Sequence, residues 1–155
     1  MPPRSLPIAI RTAAGMAAVS IAIAGCGSKP ATHASVIARG NAICGTANRA
    51  LANLPAATSA SGTTVDFVKA APIVTHEAKA LDALPRPAAG RTELERFVAA
   101  ESALAAGFRH LAAAQRTGDD SALQSGLASL SHNDAASLAR RYGLAQCSAS
   151  AATVR

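Results

Sequence analysis

Glu101, Asp134 and His76 are the side chains whose types and positions could gather into a reactive site. Both acids interrupt an apolar helical stripe: Glu101 lies between Phe97 and Leu104, and Asp134 falls at the angular centre of the Leu123, Leu127 and Leu130 face. Counted outward from Gly118, Glu101 is 17 residues before and Asp134 16 after, so two helices folded back on each other there would place both in one layer. The same height, continued around a bundle, takes in Thr75–His76 and Ile43–Cys44. Two carboxyls beside a histidine could share a proton or hold a metal or small ligand. Two features oppose this. Bundle metal sites draw Glu-x-x-His pairs from their helices, and the chain has none. His76 also falls off the Val74, Ala78 and Leu81 stripe, which turns it to solvent. Asp134 has a competing role, because Ser131-His132-Asn133-Asp134 has the form of a capping box that would restart a helix and place Asp134 in its first turn. Ser, His and Asn are poor helix-interior formers, which favours the restart. Glu101 can reach past a small alanine layer to solvent, pair with an arginine, or contact a ligand.

Catalytic and cofactor signatures are missing from the rest of the chain. There is no G-x-S-x-G, P-loop, G-x-G-x-x-G, H-E-x-x-H or paired C-x-x-C, so no catalytic residue, cofactor or metal is assigned. His33, His110 and His132 are isolated and read as surface residues. Arg86 and Arg91, with Arg96, form a small basic patch that reads as solvated charge.

The elements that must position these residues are helical. The chain has 155 residues, 50% of them apolar and 15% charged, enough for one domain with a buried core. Aromatics make up 3%, which argues against a base- or sugar-stacking platform and hence against nucleic acid. From Cys26 onward thirteen basic residues face nine acidic ones, a balance that suits weak attraction to anionic membranes or polymers. Four stretches carry apolar residues at helical spacing. The first spans about Ser35 to Leu54. The second starts near Thr63, read as its cap, contains Pro72 as an expected kink or broken turn, and stops at Pro85 and Pro87. A third opens on the capping box Thr92-Glu93-Leu94-Glu95 and runs to Arg116 before Gly118; the fourth runs from Asp119–Ser121 to Gly143. Short connections favour an all-α, antiparallel up-down four-helix bundle over residues 35–155.

The N-terminal 25 residues have no acid, two arginines and an apolar run of about 14, too short to cross a bilayer and suited to a secretory signal. Its end, Ile23-Ala24-Gly25-Cys26, resembles the lipobox of bacterial lipoproteins: a branched aliphatic, two small residues and Cys. That resemblance implies cleavage between Gly25 and Cys26, fatty acylation of Cys26 (palmitate or a similar chain), and residence at the extracytoplasmic face of the cell membrane. The alternative is an ordinary signal peptide with a chance cysteine. Residues 26–34 read as a flexible tether. With Cys26 assigned to lipid, Cys44 and Cys147 remain in a compartment that permits disulfides, and they are expected to pair, bringing the tail beside the first helix. Two separate buried thiols are the alternative. Neither cysteine has a second ligand at metal-binding spacing.

The lipobox, the segment Ala42-Ile43-Cys44-Gly45-Thr46-Ala47-Asn48, the Leu81-Asp82-Ala83-Leu84-Pro85 turn and the Tyr142-Gly143-Leu144-Ala145-Gln146-Cys147 tail together resemble small helical lipoproteins of actinobacteria. Pro85-Arg86-Pro87 stands where that family has adjacent prolines. The resemblance implies a disulfide-stapled helical domain outside the cytoplasmic membrane and carries no established activity. The expected function is therefore a lipid-anchored, non-enzymatic binding or structural module engaging an envelope protein, a wall polymer or a small apolar ligand. The competing expectation is an envelope enzyme or a metal- or ligand-binding protein using Glu101, Asp134 and His76.

Overall fold

Helix starts in this protein are set by whichever side chain or carbonyl satisfies the first free amides. The computed structural model describes residues 31–55, 57–59 and 62–150, and the chain is mostly helical. The expected leader, the Gly25–Cys26 junction and the tether as far as Pro30 lie outside the described residues. Helix α1 (His33–Ala52) begins two residues earlier than its spacing predicts, because Thr32 and Ser35 form a reciprocal capping box. His33 is thereby fixed against Tyr142, with ring centroids 4.5 Å apart, and is not part of a tether. Two three-residue strands, β1 (Ala57–Ser59) and β2 (Gly62–Thr64), pair antiparallel, Ala57 opposite Thr64.

Helix α2 (Phe67–Asp82) is capped by Asp66 and not by Thr63, which belongs to β2. The Asp66 carboxylate accepts from the Lys69 amide and pairs with Lys69 Nζ at 2.9 Å, which lowers its pKa. The helix continues through Pro72, which is exposed. Helix α3 (Arg91–Thr117) departs from the expected Thr92–Glu95 box: Gly90, at φ 75°, ends the preceding turn and its carbonyl accepts from Leu94, so Thr92 is already inside the helix. Gly118, at φ 68°, closes α3 as expected.

The predicted fourth helix is divided. Helix α4 (Asp120–Ser131), capped by Asp119, ends at the Ser-His-Asn stretch; α5 (Ala135–Tyr142) restarts after it, and α6 (Ala145–Ser150) follows Gly143 at φ 97°. Asn133 drives the restart: its Oδ1 accepts from the Ala135 amide and its Nδ2 donates to the Ala100 carbonyl on α3, both at 2.9 Å. Ser131 instead returns its hydroxyl to the Ala128 carbonyl, so the anticipated box is not the device used.

Helices α2 and α3 run antiparallel. Phe67 meets Phe108 edge-on, Val68 N–H donates to the Gln115 side chain, and Arg109 reaches Thr75. Cys44 and Cys147 form a disulfide across a separation of 103 residues. It ties α6 to α1, where the Asn48 side chain donates to the Gln146 carbonyl and Asn41 accepts from the Gln146 amide. The interior falls into two clusters. One surrounds the disulfide with Val36, Leu81, Leu94, Phe97, Tyr142 and Leu144, while the other holds Phe67, Val74, Leu104, Phe108 and Leu111. Helix α4 contributes no fully buried residue and lies along α3 at the edge of the second cluster.

Candidate functional site

The boundary between the two clusters is occupied by two carboxylic acids. On α2, Glu77 follows Val74 by three residues and precedes Leu81 by four, so the stripe that buries both leucine and valine buries the acid as well. Glu101 is placed the same way on α3, four after Phe97 and three before Leu104. Their exposures are 3% and 2%, against the interior norm that buried charges are paired. Among the described residues neither acid has an ion-pair partner, and Glu77 Oε1 has no hydrogen bond. Loss of hydration raises both pKa values from the ordinary 4.5. Glu101 reaches about 7; Glu77, which also feels the charge of Glu101, is pushed up to about 8. At neutral pH Glu77 therefore holds a proton that a surface carboxyl would release, and Glu101 is only partly ionised.

Of the three residues singled out from sequence, the fold assembles only part of a site. Glu101 is buried as its stripe position requires. Asp134 is exposed: the break after Ser131 places it ahead of α5, at the N-cap, so although the neighbouring Asn133 bonds Ala100 at the height of Glu101, the Asp134 carboxyl faces solvent and does not join the buried acid. His76 is exposed, as its off-stripe position predicts, and stands on the wall of a surface cleft. Glu77 is not among the residues singled out from sequence, although, like Glu101, it falls on the apolar stripe of its helix, which is the signal that marks it.

The cleft lies between α1 and α2 and has a volume of about 630 Å³. Ala42, Ile43 and Ala47 of α1 face Pro72 and Ile73 of α2 across it, and Glu77 joins the wall. Its width follows from side-chain size: alanines on α1 leave a gap that leucines would fill. Beyond Pro72 and His76 a second groove, between α2 and α3, carries Lys79, Arg109 and Arg116. Thus an apolar trough with a buried acid adjoins a basic rim.

The Arg86 patch is bound into the turn rather than simply solvated. Arg86 pairs with Asp82 at 3.0 Å and donates to the Leu84 carbonyl, while Arg91 donates to the Arg86 carbonyl. Among the described residues no three His, Cys, Asp or Glu come together to hold a metal ion, and no helix is long and apolar enough to cross a membrane. Comparison of the chain with protein-family models, with curated proteins and with solved structures finds no match.

Proposed function

We propose that this protein is a non-enzymatic binding module of the bacterial cell envelope, held at the extracytoplasmic membrane face by lipid on Cys26, with the α1–α2 cleft as its ligand site. The observation that carries the binding reading is the cleft's composition: an apolar trough joined by a buried carboxyl whose oxygen has no hydrogen bond. A lone buried polar atom costs roughly 1–3 kcal/mol, a cost more readily retained at a functional site than in a plain core. Catalysis is the weaker reading, because among the described residues no nucleophile or histidine base is hydrogen-bonded to Glu77 or Glu101 and His76 is exposed.

The anchor is supported by the Ile23-Ala24-Gly25-Cys26 pattern and by the Cys44–Cys147 disulfide, which suits an oxidising compartment and leaves Cys26 for acylation. We further read the architecture as an antiparallel four-helix bundle whose fourth position is shared by α4 and α5, and the chain as one of the small actinobacterial lipoproteins its motifs resemble. An envelope protein or wall polymer would then be met at the membrane surface. Metabolic labelling of the native host with an alkyne fatty acid tests the anchor. Wild type should take up label that survives denaturation, and Cys26→Ser should not; an unlabelled wild type overturns it.

A further inference from the structure

We infer that the α1–α2 cleft binds a small organic ammonium with an apolar body, the cation meeting Glu77 and the body lying on the alanine wall of α1. This rests on reading the cleft as the binding site and adds the class of ligand.

Two observations select that class. The walls at Ala42, Ile43, Ala47 and Ile73 offer apolar contact and few hydrogen-bonding groups, so most of the ligand must be hydrocarbon. Of the polar side chains on its wall, Thr46 is engaged with the Ala42 carbonyl and Arg49, and His76 is exposed, whereas Glu77 is a buried carboxyl with an empty acceptor oxygen, which an ammonium N–H satisfies with charge assistance. Glu77 Oε1 is enclosed in the unliganded protein, so the side chain must swing toward the cleft it already lines. The gain that offsets this motion is the removal of an uncompensated buried acid from between two hydrophobic clusters.

The charged surroundings set the limits. Facing Glu77, α3 supplies Glu101, whose negative charge strengthens attraction for a cation. The stretch of α1 along the cleft, Ala42 to Ala50, carries Arg49, which is exposed and does not line the cleft, and on α2 itself His76 is at the rim with Lys79 beyond it. Arg109 and Arg116 line the neighbouring groove. Arg49, Lys79, Arg109 and Arg116 oppose a bare divalent ion approaching from solvent, whereas a single ammonium carried on hydrocarbon gains from the walls. A carboxylate ligand would meet Glu77 and Glu101 as like charges.

Binding exchanges a proton for the ammonium, since Glu77 must be ionised to pair with it. Affinity should therefore rise with pH up to about 8, where free Glu77 loses its proton, and level off above. A neutral ligand accepting a hydrogen bond from protonated Glu77 would show the reverse.

The test is isothermal titration calorimetry on full-length Cys26→Ser protein, free of detergent, with n-octylammonium, n-octanol and octanoate between pH 6 and pH 9. We expect octylammonium affinity to increase about tenfold per pH unit from 6 to 8 with about one proton released per ligand. Octanol should bind more weakly at pH 8.5 and gain no affinity as pH rises, and octanoate should not bind at pH 8.5. Glu77→Gln should lose at least tenfold in octylammonium affinity at pH 8.5 together with its pH dependence. Glu101→Gln should keep binding with the plateau reached at lower pH, an effect that a merely structural Glu77 would not produce. Ala50→Trp, at the edge of the cleft, should weaken both octylammonium and octanol and provides a second variant should Glu77→Gln unfold. Octanol binding as tightly as octylammonium at pH 8.5 would overturn the ammonium inference and leave the cleft as a binding site. Absence of binding by either would overturn both.

Discussion

The half of the molecule around Cys44–Cys147 and the half around Phe67 and Phe108 solve the same packing problem with different means. In the stapled half, residues distant in sequence are joined covalently, and Leu144 fills the space above Gly40, where an added Cβ would come 2.5 Å from its Cδ2. The second half depends on α2 against α3, with α4 laid alongside and contributing no fully buried side chain. Its α1 side is lined by alanines and left open as the cleft. The stapled half thus holds α1 in place while the other half leaves room between α1 and α2. Glu77 and Glu101 mark the seam.

Removing the staple should have the largest effect. Cys44→Ser with Cys147→Ser should cost roughly 4 to 5 kcal/mol, the chain-entropy value for so long a loop, in urea unfolding. Hydrogen exchange should then show α6 amides opening while those near Phe108 remain protected. Equal loss of protection in both halves would show that the seam does not divide them.

The seam itself should make stability fall as pH rises. For a carboxyl whose folded pKa is raised, the folded state binds more protons than the unfolded one, so the contribution is complete below about 4.5 and is lost on the way to about 7 for Glu101 and about 8 for Glu77. The slope is at most about 1.4 kcal/mol per pH unit for each group, and less where water penetrates the seam. Denaturant midpoints at pH 5 and pH 8.5 should therefore differ in that direction, and Glu77→Gln should flatten the curve. A wild-type protein more stable at pH 8.5 would contradict the burial of the pair.

Glycine replacements sharpen the contrast further. Gly40→Ala presses on fully buried Leu144 and should cost about 1 to 3 kcal/mol despite alanine's better helix propensity. Gly107→Ala meets Leu130 at the same 2.5 Å distance, but Leu130 is only partly buried and can move with α4. Its cost should stay within about 1 kcal/mol, offset by that propensity gain. Thermal melts of the two variants compare the halves directly; a larger loss for Gly107→Ala would reverse the assignment of which half yields.

Much of this was legible from local pattern. The helices follow the 3.6-residue apolar period, the stops at Gly118 and Gly143 follow from glycine's access to positive φ, and the pairing of Cys44 with Cys147 followed from cysteine count and compartment. The restart at Asp134 was visible as a patch of poor helix formers, although the capping group is Asn133, whose role depends on the Ala100 carbonyl of another helix. Starts chosen from Thr63 and Thr92 failed for a related reason: a hydroxyl caps only if the backbone before it has already turned, and the β1–β2 pair and Gly90 decide where that happens.

The amino-acid order by itself determined which faces are apolar, because side-chain periodicity is a property of one helix at a time, and it placed an acid on each of two such faces. Whether those acids meet solvent, an arginine or each other is a property of two helices and their register, so only the tertiary structure decided that Glu77 and Glu101 share a dry seam while Asp134 does not. The cleft is likewise a difference between the volumes of two facing surfaces, and no single stretch of sequence contains it.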